Sequence, residues 1–103
     1  MDFAVTVDRR AECVVVRVEG ELDLATAPEL EAAVGAVGST PHIVIDLSGC
    51  SFLDSAGMRI IAKAVQEVPR VSVVATDPGT LRALEITSVD TMVSVHTSVE
   101  DAL

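Results

Sequence analysis

The stretch Asp46-Leu47-Ser48-Gly49-Cys50-Ser51-Phe52-Leu53-Asp54-Ser55-Ala56-Gly57-Met58 decides how the chain folds. Ile43 to Leu47, which leads into and opens it, is apolar almost throughout, as a strand buried on both faces must be. A short polar loop follows. From Ser55 onward, Met58, Ile61, Ala62 and Val65 recur at helical spacing, with Arg59, Lys63 and Glu67 as a charged stripe on another face. Ser55 falls at the hand-over, where its hydroxyl can cap the helix and still face solvent. A helix start offers unpaired N–H groups and the positive end of the macrodipole, so a phosphate on Ser55 would be tolerated there and seen by a partner.

Upstream, Phe3, Val5 and Val7 alternate with smaller or polar residues as a half-buried strand. Asp8 to Ala11 is a turn, and the β-branched run Cys13 to Val18 is the strand that pairs back antiparallel to the first. Gly20-Glu21-Leu22-Asp23 then leaves the sheet. Thr26-Ala27-Pro28-Glu29 reads as a capping box, and Leu30, Val34 and Val37 give a helix ended by Gly38 and Pro41. The third strand is His42 to Leu47.

Downstream, Pro69 stops the second helix and Val71 to Ala75 forms a fourth strand. Asp77-Pro78 opens a third helix with Leu81 and Leu84 inward, Met92 to Val95 is a short fifth strand, and Thr97-Ser98-Val99-Glu100 is a capping box for a last helix. The expected fold is α/β: one domain over residues 1–103, with an N-terminal β-hairpin, an otherwise parallel sheet and about four helices packed on it.

Composition narrows the function classes. A net charge of −9 argues against binding nucleic-acid phosphates and suits a basic protein partner. No apolar run approaches the roughly 20 residues of a membrane helix, and the N-terminus lacks the pattern of a signal peptide, so a cytoplasmic chain is expected, with no membrane role. Cys13 and Cys50 are expected to be reduced thiols, with a redox role for Cys50 as the sharper alternative. His42 and His96 have no ligand pattern around them, so no metal is expected, and no phosphate-cradling motif points to a cofactor.

Leu53-Asp54-Ser55-Ala56-Gly57-Met58 resembles the Asp-Ser-x-Gly-hydrophobic signature of STAS domains, in particular the bacterial anti-sigma factor antagonists. Gly20-Glu21-Leu22-Asp23 and Leu81-Arg82-x-Leu84-Glu85 extend the resemblance over nearly the whole chain. It implies a partner-switching regulator: the unphosphorylated chain binds an anti-sigma factor serine kinase, is inactivated by phosphorylation at Ser55, and is reset by a serine phosphatase. It also implies a partner surface made by Gly20, Asp23, Asp54, Ser55, Ala56, Gly57, Met58 and Arg59. For several of these the residues allow a plainer role. Asp54 and Ser55 could be caps only, Asp23 part of the turn before Thr26, Met58 core, and Arg59 a solvated face paired weakly along its own helix. Gly57, costly inside a helix, is expected to admit a close backbone.

Two alternatives stand beside this reading. One is a STAS subunit of a transporter or of a stressosome-like scaffold, in which such domains usually sit within longer chains. The other is a small serine hydrolase, since Leu53-Asp54-Ser55-Ala56-Gly57 approaches the Gly-x-Ser-x-Gly nucleophile elbow. Leu53 stands where that elbow needs its first glycine, and His96 is the one histidine that follows the serine. The chain itself is expected not to be an enzyme.

Overall fold

A computed structural model describes residues 3–103. Its elements are β1 (Ala4–Arg9), β2 (Val14–Leu22), α1 (Ala27–Val37), β3 (His42–Leu53), α2 (Ser55–Glu67), β4 (Arg70–Val74), α3 (Pro78–Ile86), a 3-10 turn (Val89–Thr91), β5 (Ser94–His96) and α4 (Val99–Ala102). The strands lie in the order β1-β2-β3-β4-β5. Only β1 runs antiparallel to its neighbour; β2 through β5 are parallel. The expected hairpin and largely parallel sheet are both present.

Alternation along the strands builds two cores. Val14, Val16 and Val18 of β2, Ile43, Ile45 and Leu47 of β3, and Val71 and Val73 of β4 meet Leu30, Ile61 and Leu84 from α1, α2 and α3. The opposite face carries Val15, Val44 and Val74 against Ala102 of α4. Strands apolar on both faces therefore read as unbroken runs, because each face has a helix to meet. On the α4 side, His42 Nε2 lies 2.8 Å from Ser72 Oγ, which lies 2.9 Å from Ser94 Oγ. Burial, then Arg70 and His96, push the His42 pKa below its ordinary value.

Several expectations change in detail. β2 does not leave the sheet at Gly20, and β3 does not end at Leu47: the two strands stay paired to Leu22 and Leu53. The pairing steps from Arg17↔Asp46 to Glu19↔Gly49 and from Gly20↔Cys50 to Glu21↔Phe52, so β3 absorbs two extra residues as bulges. Gly20, at φ 103°, takes a conformation that other side chains resist. What looked like a loop is thus a bent strand that carries the pairing up to the start of α2.

β5 begins at Ser94, after the 3-10 turn, and not at Met92. α4 is capped by Ser98, which accepts from the Asp101 N–H, one residue later than the expected box. In α3, Thr80 and Leu84 are the buried residues, while Leu81 is exposed. Arg9, which no local pattern singled out, donates to the Val37 and Ala36 carbonyls at 3.0 and 3.1 Å and so closes the C-terminus of α1.

Candidate functional site

At the carboxyl rim of the sheet an aspartate follows each of three parallel strands, Asp23 and Asp54 directly after β2 and β3 and Asp77 three residues after β4, and each acid governs the turn into the next helix. Asp23 Oδ1 accepts from the Ala25 and Thr26 N–H groups at 3.0 and 3.1 Å. Thr26 is not the expected capping-box residue: its hydroxyl donates to the Glu21 carbonyl at 2.7 Å and accepts from the Asp23 N–H at 2.9 Å. Asp77 Oδ2 accepts from the Thr80 N–H at 3.0 Å and caps α3. Asp54 Oδ1 accepts from the Ala56 and Gly57 N–H groups at 2.9 and 3.3 Å and caps α2. The Asp54 N–H itself donates to the Leu22 carbonyl at 3.2 Å, which fixes the start of α2 to the end of β2.

The cap of α2 is therefore Asp54, and Ser55 is the first residue of the helix. Both residue types cap well, so the one-residue difference was open in the sequence. Its consequence is chemical. Ser55 is exposed, and among the described residues its hydroxyl has no hydrogen-bond partner. No fold-stabilising bond ties up that oxygen.

The residues around it divide sharply. Gly20, Ala56, Gly57 and Met58 are buried, Asp23 and Asp54 are half-buried, and Ser55 and Arg59 are exposed. Met58 belongs to the core beneath α2. Gly57 does admit a close neighbour, but that neighbour is internal and is not a backbone. A Cβ there would lie 2.7 Å from both Leu22 Cγ and Leu53 Cδ1. Lys63 pairs at 3.2 Å with Glu31 of α1 rather than along its own helix.

Two exposed apolar residues flanking these turns were missed: Leu24, 77% exposed, and Phe52, 49% exposed. Leu24 sits between Asp23 and the start of α1, and it shares with Pro28, Ala56, Arg59 and Ile60 a shallow groove of about 150 Å³. The available signal was an apolar residue in a turn whose neighbours are all polar or small. Phe52 was concealed by the loop assignment, since in a bulged strand its side chain turns outward.

Other features of the rim are quieter. Cys50 is buried, its thiol donates to the Phe52 carbonyl at 3.0 Å, and burial raises its pKa, with Asp77 adding to the rise. A protonated buried thiol is a poor nucleophile. Cys13 lies in the core on the other face of the sheet, and both cysteines are free.

His96 is on the α4 side, near enough to His42 to lower its pKa, and its Nε2 is buried without a partner. No hydrogen bond joins it to Ser55. Among the described residues no three His, Cys, Asp or Glu gather as metal ligands, and no helix is long and apolar enough to cross a membrane. A cavity of about 400 Å³ beside His42 and Arg70 lies at the amino ends of β3 and β4, away from the rim.

Comparison with known proteins agrees with this geometry. The family model described as STAS domain matches residues 4–102. The anti-sigma-F factor antagonist RsfB of Mycobacterium tuberculosis is 34% identical over 106 residues, covering 98% of this chain and 87% of that protein. The crystal structure of an anti-sigma factor antagonist from Mycobacterium paratuberculosis superposes with a TM-score of 0.92 at 37% identity, covering 98% of this chain and 91% of the other. Unphosphorylated SpoIIAA, a Bacillus cell fate determinant, shares the fold at a TM-score of 0.80 and 20% identity, over 96% of this chain and 93% of its own.

Proposed function

This chain belongs to the STAS domain family, and on that premise we propose that it is an anti-sigma factor antagonist working by partner switching. Unphosphorylated, it binds an anti-sigma factor and thereby frees the sigma factor. The anti-sigma factor is also a serine kinase and brings the ATP. Ser55 Oγ attacks the γ-phosphorus of that ATP, an O–P bond forms as the bond to the β-phosphate oxygen breaks, ADP leaves, and the hydroxyl proton passes to a base of the kinase. A serine phosphatase hydrolyses the phosphoester and restores the binding form. The catalytic groups belong to the partners, so this chain acts as substrate and ligand and not as an enzyme. Sigma factors act on RNA polymerase, which places the system in the cytoplasm.

One observation carries the reading: Ser55 presents an unbonded hydroxyl at the first residue of a helix that Asp54 has already capped. A residue whose side chain is not needed to start its helix is free to be modified. Leu24 and Phe52 supply the apolar part of the docking face, with Arg59 and Asp23 beside them. Association buries such side chains and gains from each.

Phosphorylation adds about −1.5 to −2 charges next to Asp54 and desolvates poorly against a surface shaped for a hydroxyl. A loss of about 3 kcal/mol weakens binding roughly a hundredfold, which is enough for a switch. The test is incubation with the anti-sigma kinase and ATP, followed by tandem mass spectrometry and calorimetric titration. One phosphate on Ser55 and a hundredfold loss of affinity are expected. Modification at Ser48 or Ser51, or equal affinity of both forms, rejects the proposal.

A further inference from the structure

We propose that Arg59 is the internal counter-ion of phosphorylated Ser55, so that modification withdraws a cation from the docking groove while adding an anion to the rim. The inference rests on the reading of Ser55 as a phosphorylation site and concerns what the chain itself does with the phosphate. Ser55 and Arg59 are the first and fifth residues of α2, and both are exposed. Residues four apart on a helix stand one above the other, about 6 Å between Cβ atoms. Helical side chains lean toward the N-terminus, so the Arg59 guanidinium extends toward residue 55.

Most of the first-turn donors at the helix end are already engaged. The Ala56 and Gly57 N–H groups donate to Asp54 Oδ1. The Met58 N–H donates to the Asp54 carbonyl, so a phosphate on Ser55 meets a carboxylate one residue away and, the Ser55 N–H apart, donors that are in use. On the same face of α2 the group of opposite charge is Arg59, which has no ion pair among the described residues. Lys63, the next cation along, is held by Glu31. A guanidinium matches two phosphate oxygens at once, which makes it the better partner for a dianion.

The pairing has a second effect. In the unmodified chain Arg59 lines the groove beside Leu24 and Ala56, where a partner can meet it; the one carboxylate lining the same groove, Glu31 of α1, is paired to Lys63. Bound to the phosphate, Arg59 is removed from that surface. One covalent change then alters two polar elements of the docking face, the hydroxyl and the cation, with no movement of the backbone.

The experiment uses the full chain with phosphoserine installed at position 55 during translation, which needs no kinase. The 31P shift is followed against pH for the native sequence, Arg59→Gln, Arg59→Ala and Arg59→Lys. The second ionisation of a free phosphoserine lies near pH 6. With Arg59 present it is expected about half a unit lower than in either neutral variant, with Arg59→Lys between them. The difference should shrink in about 1 M salt, as an exposed pair requires. Matching circular dichroism spectra establish that the variants fold, and Arg59→Ala carries the comparison if Arg59→Gln does not. Coincident titration curves for native and neutral variants overturn the pairing. Failure of the anti-sigma kinase to modify the unphosphorylated chain is a separate result: it rejects the proposed function and leaves the titration untouched.

Discussion

The turns into α2 and α3 are built from the same part and used differently. Each follows a parallel strand, each has an aspartate as N-cap, and each cap accepts N–H groups of the first helical turn. After Asp77 comes Pro78, whose fixed φ suits a first helical position and whose nitrogen has nothing to donate. After Asp54 comes Ser55, whose hydroxyl adds nothing to the cap. The third residue differs as well: Thr80 is buried and bonds back to its cap, while Gly57 is pressed against Leu22 and Leu53. The α3 turn is complete as structure. The α2 turn is equally complete without its serine, and that surplus leaves the Ser55 hydroxyl free, as the proposed phosphorylation requires.

The glycines give the strongest way to break the comparison. Gly57→Ala forces a methyl to within 2.7 Å of two buried leucine side chains. Overpacking of this kind costs about 1–3 kcal/mol, and even after the helix-propensity gain of alanine, about 1 kcal/mol, a net loss is expected. Gly79→Ala meets only Asp77 Oδ2, at 3.0 Å, the oxygen that caps α3. Its helix-propensity gain of up to about 1 kcal/mol is offset by crowding that cap, so the net change should lie near zero. Urea unfolding of the two variants should therefore separate them by about 1–2 kcal/mol, and equal midpoints would show that Gly57 is not set by packing.

The caps come next. Asp54→Ala and Asp77→Ala should each lose about 1 kcal/mol, because each removes the acceptor for first-turn N–H groups. Asn in place of either acid should keep most of that stability, since it caps comparably. The comparison sharpens if the two losses match. An Asp54→Ala variant as stable as the parent would mean that Ser55 can take over the cap, and the claim that its hydroxyl is idle would fall.

Much of this was legible in the sequence because long-range packing and local pattern agree. The apolar runs at Val14–Val18, Ile43–Leu47 and Val71–Ala75 have to be inner strands, and the helices between them follow from period and length. The motif at Asp54-Ser55-Ala56-Gly57 located the rim. What was not legible depends on pairing between distant segments. Ser48, Gly49 and Ser51 look like a loop because bulges relax the side-chain alternation, and only the β2 partner holds them in the sheet. Thr26 looks like a cap because Thr-x-x-Glu is a local signature, yet the Glu21 carbonyl and Asp23 claim its hydroxyl. Phe52 looks like a core residue on hydropathy alone, and nothing local says that no partner within the chain covers it.

The smallest expected effect is the most discriminating. If Ser55 were the cap of α2, Ser55→Ala would lose about 1 kcal/mol. The structure puts the cap on Asp54, with both of its bonds to backbone N–H groups intact when Ser55 is changed. Alanine is also the better helix former, by a few tenths of a kcal/mol at an exposed position. The expected change in unfolding free energy is therefore within about 0.5 kcal/mol of zero, as for an exposed site without a structural role. The same variant should accept no phosphate and should keep its affinity for the anti-sigma factor in the presence of ATP, while the parent loses it. Chemical denaturation read alongside binding separates the two roles cleanly. A loss near 1 kcal/mol would return Ser55 to the cap and make the turns into α2 and α3 alike after all; no change in stability, with phosphorylation gone, is what an idle hydroxyl kept for a partner requires.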